Sequence, residues 1–232
     1  MSEESIKKED IEQERTPKEL LAWVESNIEL VASTEGGEQS IRLREGIMKP
    51  IMDEVYPIAM FAVKKYGETE EVKIKPKIGS QNYDAIVTDY SCSPPEENYL
   101  EVTLAHEGED QYLKALHLQR HGYVFSTGTV KKEGTKKTGI QISVEPEAYS
   151  ASDNVENELS KILEALKRKE GKKYPVNTDL VIIFNDGHMF RRHVDNRGID
   201  AFIHNNALEL DLQFRHLYLV GDRGGSFYQY EF

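Results

Sequence analysis

The stretch IGSQNYDAIVTDYSCSPPEENYLEVTLAHEGEDQYLKALHLQRHG, Ile78 to Gly122, decides the fold class. Two runs in it, Tyr83 to Asp89 and Tyr99 to Ala105, are short, rich in β-branched and aromatic residues, and separated by SCSPPEEN, which is loop chemistry. From about Gly108 to His121 the apolar period changes to that of a helix, and Gly122 closes it. A further strand-like run, Val72 to Ile78, precedes the GSQN turn. Three consecutive strands followed by a helix make the nucleus of a mixed sheet.

On the amino-terminal side, TPKELLAWVESNIELVAS carries a helix start, with Thr16 as N-cap, Pro17 at the first helical position and Glu19 three residues after the cap. Leu20, Trp23, Val24, Ile28 and Val31 share its buried face. Ser40 to Tyr66 repeats the helical period through Ile47, Ile51, Val55, Ile58 and Ala62, but Pro50 and Pro57 predict a kink or two shorter helices. Residues 1–16 are dense in charge and poor in apolar groups, and the expectation is a flexible acidic tail through about Arg15. Residues 17–232 then form a single α/β domain.

On the carboxyl side, Tyr123 to Val130 and Ile140 to Val144 read as strands bridged by the lysine-rich tip KKEGTKKTG. A helix is expected from about Ser152 to Lys169, a fully buried strand at TDLVIIFND, a helix from Ile199 to Leu210, and two closing strands in HLYLVGD and SFYQYEF. The order of elements predicts an α/β (α+β) fold with a central mixed β-sheet flanked by helices.

Composition narrows the function classes. The formal net charge of −12 opposes long-range attraction to a polyanion, so any nucleic-acid binding must rest on local patches or on metal. The single Cys92 can form neither an internal disulfide nor a zinc site alone, and it points to a reducing cytoplasm. The seven histidines are scattered without a metalloprotease frame. The longest apolar runs have strand length and no charged start leads into an apolar stretch, so neither a signal peptide nor a membrane span is expected.

The chemistry-bearing residues are two acids on neighbouring strands, Asp84 and Glu101. Mg²⁺ takes hard oxygen ligands and is usually held by one or two protein carboxylates plus phosphate and water. Glu54 falls three residues after Ile51 and four before Ile58, on or beside the buried stripe, where a carboxylate must be paired, metal-bound or at a cleft rim. Glu45 is a second candidate, in line with Ile41, Met48 and Met52.

Asp84, the run Glu101-Val102-Thr103 and the order of elements resemble the PD-(D/E)XK nuclease superfamily, the restriction-endonuclease-like fold. Its core is a helix, a three-stranded antiparallel meander, a crossover helix and a further strand, with an acid on the second strand and E-x-K on the third. The resemblance covers the middle third of the chain, and the run from Tyr99 onward is also similar to uncharacterised bacterial and phage proteins. It implies Mg²⁺ or Mn²⁺ held by Asp84 and Glu101, with Glu54 as auxiliary ligand, and hydrolysis of phosphodiester bonds in DNA or RNA. The position of the family's lysine is Thr103, which carries no charge. Lys77, Lys114 and the polar Gln119 are the candidate replacements.

A different class of function also fits: a catalytically silent domain of the same fold that binds a protein or nucleic-acid partner. A generic interaction protein is a third reading. His106, at the end of the Glu101 strand, reads either as a proton shuttle or as a loop histidine capping the next helix. Lys131, Lys132, Lys136 and Lys137 read either as a phosphate-contacting hairpin tip or as lysines protecting a strand edge. LKRKEGKK, Leu166 to Lys173, reads as a helix end complementing its dipole. Arg191, Arg192 and His193 form a third cationic cluster, read as a solvated turn.

Overall fold

The structure, a computed structural model, describes residues 6–106, 108–125, 128–135, 139–148, 150–187, 192–207 and 209–232. Helix α1 (Lys8–Ile11) is followed by α2 (Pro17–Ala32), which begins where the sequence sets it. Thr16 Oγ1 accepts from Glu19 N at 3.2 Å while Glu19 Oε2 accepts from Thr16 N at 2.9 Å, so two otherwise orphaned donors are satisfied reciprocally. Helices α3 (Gly37–Leu43) and α4 (Met48–Pro50) lead into a π-helical turn (Ile51–Val55) and then α5 (Tyr56–Tyr66). The break falls between the two prolines. Pro57 lacks the N–H that would bond the carbonyl of Asp53, and the wider turn absorbs that loss.

Strands β1 (Val72–Pro76), β2 (Ala85–Asp89) and β3 (Glu96–Leu104) form the antiparallel meander. Helix α6 (Gly108–His121) follows, closed by Gly122 at φ 77°, a left-handed conformation that glycine adopts without steric cost. Strands β4 (Gly128–Thr135) and β5 (Gly139–Pro146) pair with each other in a separate two-stranded sheet. Helix α7 (Ala151–Lys167) then returns the chain to β6 (Thr178–Phe184), and α8 (Arg192–Asn206), β7 (His216–Gly221) and β8 (Phe227–Glu231) complete it. The six-stranded sheet has the order β1-β2-β3-β6-β7-β8. Its β3–β6 and β6–β7 pairs are parallel and its remaining pairs antiparallel, so it is mixed and flanked by helices, as expected.

Strand alternation divides the core between the two faces. Leu100, Val102, Val181, Ile183, Tyr218 and Val220 pack against α2, the π turn and α5. Leu180, Ile182, Phe184, Leu217 and Leu219 pack on the other face with Ile162 and Leu166 of α7 and Ile199 and Ile203 of α8. Glu101 stands opposite Leu180 and Thr103 opposite Ile182, which assigns both to the α7–α8 face.

Three expectations are corrected. A flexible tail through Arg15 does not hold over residues 6–15: Ile6 and Ile11 are buried, and Arg15 exchanges backbone hydrogen bonds with Ile74 of β1 at 3.0 and 2.7 Å. Two isoleucines suffice because the edge of β1 supplies the partner surface and the backbone bonds. The helix expected from about Ser152 starts at Ala151, with Ser150 as its cap, whose hydroxyl accepts from Asp153 N. The strand placed at Tyr123 to Val130 begins later, at Gly128, and joins a separate ribbon. No helix among the described residues is long and apolar enough to cross a membrane.

Candidate functional site

The site forms where β2 leaves β3. Their pairing ends at Ala85 opposite Leu100, while β3 continues to Leu104 with β6 alone beside it. The edge that β2 vacates carries backbone groups that need partners. Asp84 supplies one: its Oδ2 accepts from Val102 N at 2.7 Å, and its own N donates to the Leu100 carbonyl at 2.7 Å. That places a carboxylate against the backbone of the residue following Glu101. The π turn packs on β3 and brings Glu54 into the same field of charge.

Lys169 meets these acids from a third direction. It lies one turn beyond α7, its N bonded to the Leu166 carbonyl at 2.8 Å, and its Nζ is 2.6 Å from Glu101 Oε1. Both side chains are nearly buried, 12% and 13% exposed, so water screens the pair little. The preceding Arg168 donates to the Leu104 carbonyl at 2.9 Å and anchors this end of the helix on β3.

The electrostatics follow from one cation facing several acids. Burial first, and then the Glu101 charge, push Asp84 up to about 7, with Glu54 adding to the rise and the Val102 N–H and Lys169 opposing it. Burial and Glu101 also raise Glu54. Tyr174 stands over the same acids, its phenol pushed up by burial, Glu101 and Asp84. Its hydroxyl is buried without a hydrogen-bond partner among the described residues. A cleft of about 370 Å³ opens here, lined by Gln81, Asn82, Glu101, Lys172, Lys173 and Tyr174. Asn82 Nδ2 donates to the Lys173 carbonyl at 3.0 Å and ties its two walls together.

The remaining expected residues fall elsewhere or stay neutral. Lys77 adjoins Asp84 through its backbone, its N donating to the Asp84 carbonyl at 2.8 Å, but its Nζ is taken up by Glu12 at 3.1 Å in the docked amino-terminal segment. Gln119 lines a different groove, with Glu38 and Arg42 of α3. Lys114 shares its helix, which packs on α3 and the β4–β5 ribbon, and the cation that acts on Asp84 is Lys169. Thr103 lies two residues beyond Glu101 on the same face of β3. Lys131 and Lys132 are paired with Glu145 and Glu109, each at 2.7 Å, which blunts their use as phosphate contacts. Lys136, Lys137 and Arg191 lie outside the described residues.

Lys169 and Tyr174 are the residues that sequence reasoning missed. The available signal was topological: a crossover helix that ends before a strand parallel to β3 must deliver its last turn beside β3. The basic run Leu166 to Lys173 therefore reaches the Glu101 strand, where it does more than complement a helix dipole.

Among the described residues no group of three or more His, Cys, Asp or Glu side chains is arranged to hold a metal ion. Asp84, Glu101 and Glu54 are neighbours in charge rather than a closed ligand cage. Their chemistry, hard oxygen donors of which Asp84 and Glu54 are raised first by burial and then by repulsion from Glu101, fits a hard divalent cation that keeps much of its water. No family model, no characterised protein and no solved structure matches the chain.

Proposed function

We propose that this protein is a metal-dependent phosphodiester hydrolase acting on DNA or RNA, and a divergent member of the PD-(D/E)XK superfamily. The observation that carries the reading is Lys169 Nζ at 2.6 Å from Glu101 Oε1 beside the carboxylate of Asp84. Two acids and an amine thus meet at one strand, with the amine supplied by the end of α7 in place of Thr103. Asp84 and Glu101 would hold Mg²⁺ or Mn²⁺, with Glu54 behind them. When bound, such an ion neutralises phosphate charge and lowers the pKa of a water. Lys169 would position that water and stabilise charge on the phosphate, and Lys172 and Lys173 offer the substrate backbone a cationic wall against the acidic surface elsewhere. An exposed, unpaired Cys92 accords with a reducing cytoplasm.

A second reading is a silent domain of this fold that binds a partner. It is favoured by the Lys169 ion pair itself, which satisfies Glu101 internally and makes the site self-sufficient. Cleavage of single- and double-stranded DNA and RNA with and without Mg²⁺ or Mn²⁺ separates the two. Metal-dependent cleavage abolished by Asp84→Asn and by Glu101→Gln is the expected result. Cleavage that survives in the double variant would overturn the site assignment, and its absence from the native protein under all these conditions would leave the silent domain.

A further inference from the structure

A second pocket lies at the carboxyl ends of three adjacent parallel strands. His106 follows β3 by two residues, Asn185 follows β6 directly and Asp222 follows β7 directly, and all three line one cavity of about 200 Å³. Crevices at the carboxyl ends of strands in open α/β sheets are where such folds bind ligands. Asp222 N donates to the Phe184 carbonyl at 2.9 Å, so the ends of β6 and β7 are held in register under the pocket.

The walls are apolar, formed by Met52, Tyr56, Leu104 and Phe184, and Gln111 of α6 stands at the rim. Both ring nitrogens of His106 are buried with no hydrogen-bond partner among the described residues. A buried donor and acceptor left unmet is costly, and a group in that state at a pocket wall is matched to something that enters. Burial, and then the charge of Arg44, press His106 down to about 4, so the ring is neutral and offers one donor and one acceptor. Burial and Asp186 raise Asp222, which moves this acid toward its neutral form. Arg44 holds a left-handed backbone at φ 53° at the end of α3, and its guanidinium is taken up by Asp53. The polar edge of the pocket is therefore made of amides, a neutral imidazole, a weakened acid and an Arg44 whose charge Asp53 already answers, which suit an uncharged ligand better than an anion.

We propose that this pocket binds a single nucleobase, an uncharged planar heterocycle whose faces pack on Tyr56, Leu104 and Phe184 and whose edge pairs with His106, Asn185 and Asp222. The cavity is smaller than drug-sized sites and takes one ring system. The choice of nucleobase among heterocycles rests on the phosphodiesterase reading; the pocket does not. The base belongs either to a nucleic-acid strand or to a free nucleoside.

The full-length protein, labelled at histidine, is titrated with adenosine, guanosine, cytidine and uridine, with ribose 5-phosphate as a base-free control, while His106 ring resonances are followed. At least one nucleoside is expected to shift them saturably at millimolar concentration or below, and ribose 5-phosphate to leave them in place. Gln111→Trp, which fills the rim from an exposed helix position, should abolish binding, and His106→Phe, which lacks the observed ring and is followed by equilibrium dialysis of the nucleoside alongside the native protein, should weaken it roughly tenfold, the order of one hydrogen bond. Tighter binding of an oligonucleotide than of its abasic counterpart identifies a strand base as the occupant; equal binding identifies the free nucleoside. Asp84→Asn combined with Glu101→Gln should retain nucleoside binding, so failure of the hydrolase reading would not mimic failure of the pocket. His106 unmoved by all four nucleosides, or a shift undiminished by Gln111→Trp, overturns the proposal.

Discussion

Lys169 and Glu101, 68 residues apart in the chain, share an ion pair of 2.6 Å across the junction of α7 and β3. A lysine at position 103 would also stand on this face of β3, two residues beyond Glu101, and in the proposed function its work falls to Lys169. If it does the same work, Lys169→Met should lower metal-dependent cleavage by about 10²- to 10³-fold, the range for losing one fixed charge-stabilising donor. The same change strands Glu101 next to Asp84 and should cost about 3 kcal/mol of stability, read by urea unfolding. Adding Thr103→Lys to that variant returns an amine on the same face of β3 and should recover part of both losses. A Lys169→Met protein that cleaves at the native rate would show that the pair is structural only.

The pH dependence follows from Asp84, whose folded pKa of about 7 lies above its ordinary value of 3.8. Between those two values the folded state keeps a proton that the unfolded state has lost, so stability must fall as pH rises across that window. A rise from 3.8 to about 7 corresponds to an upper bound of about 4 kcal/mol. Asp84→Asn keeps an oxygen for Val102 N and removes the charge, and it should flatten the loss of stability between pH 4.5 and 7.5. An unchanged slope in that variant would mean that another group carries it.

The acids of the candidate site were legible in the sequence and its cation was not. Asp84 and Glu101 stood out because strand runs and turn chemistry are local signals, and the three β-strands and α6 formed close to where those signals put them. Glu54 was placed beside the buried stripe by its spacing from Ile51 and Ile58, and the two prolines marked the break that became the π turn. Lys169 was not legible because an ion pair over that separation depends on where a crossover helix lands, and a basic helix end has a sufficient local explanation. The pairing of Lys77 with Glu12 was not legible for a related reason: Glu12 sits in a segment whose composition reads as unfolded, although two buried isoleucines and the β1 edge hold it.

A second buried charge cluster should govern acid stability. Asp179 is fully buried and held by Arg215 at 3.1 Å, His216 at 2.9 Å and Lys65 at 3.4 Å. Although burial alone would raise it, the bonds from Arg215 and His216 and the charge of Lys65 leave its carboxyl below the usual range. A depressed acid adds stability above its unfolded pKa and loses it as pH falls through the folded value. Asp179→Asn should cost about 3 kcal/mol at pH 7 because it leaves Lys65 without its counter-charge and Arg215 with only the more exposed Glu96 at 3.5 Å, and it should reduce the further loss on acidification below pH 4. Equal denaturation midpoints for the variant and the native protein at pH 7 would contradict this assignment.

Metal should act on the same acids that set the pH slope. A divalent cation favours the ionised forms of Asp84 and Glu54 and relieves the repulsion from Glu101 that adds to burial in raising them, so it competes directly with protons. Because it binds the folded chain in preference to the unfolded one, Mg²⁺ or Mn²⁺ at 100 times its Kd should add about 2.7 kcal/mol. The gain should appear at pH 7.5, shrink at pH 5 where Asp84 is protonated, and vanish in the Asp84→Asn, Glu101→Gln double variant. Thermal melts at the two pH values, with and without millimolar metal, read all three effects. A stabilisation that persists undiminished in the double variant would locate the ion elsewhere, and a native melting temperature unmoved by metal at pH 7.5 would remove the main physical support for hydrolysis at this site.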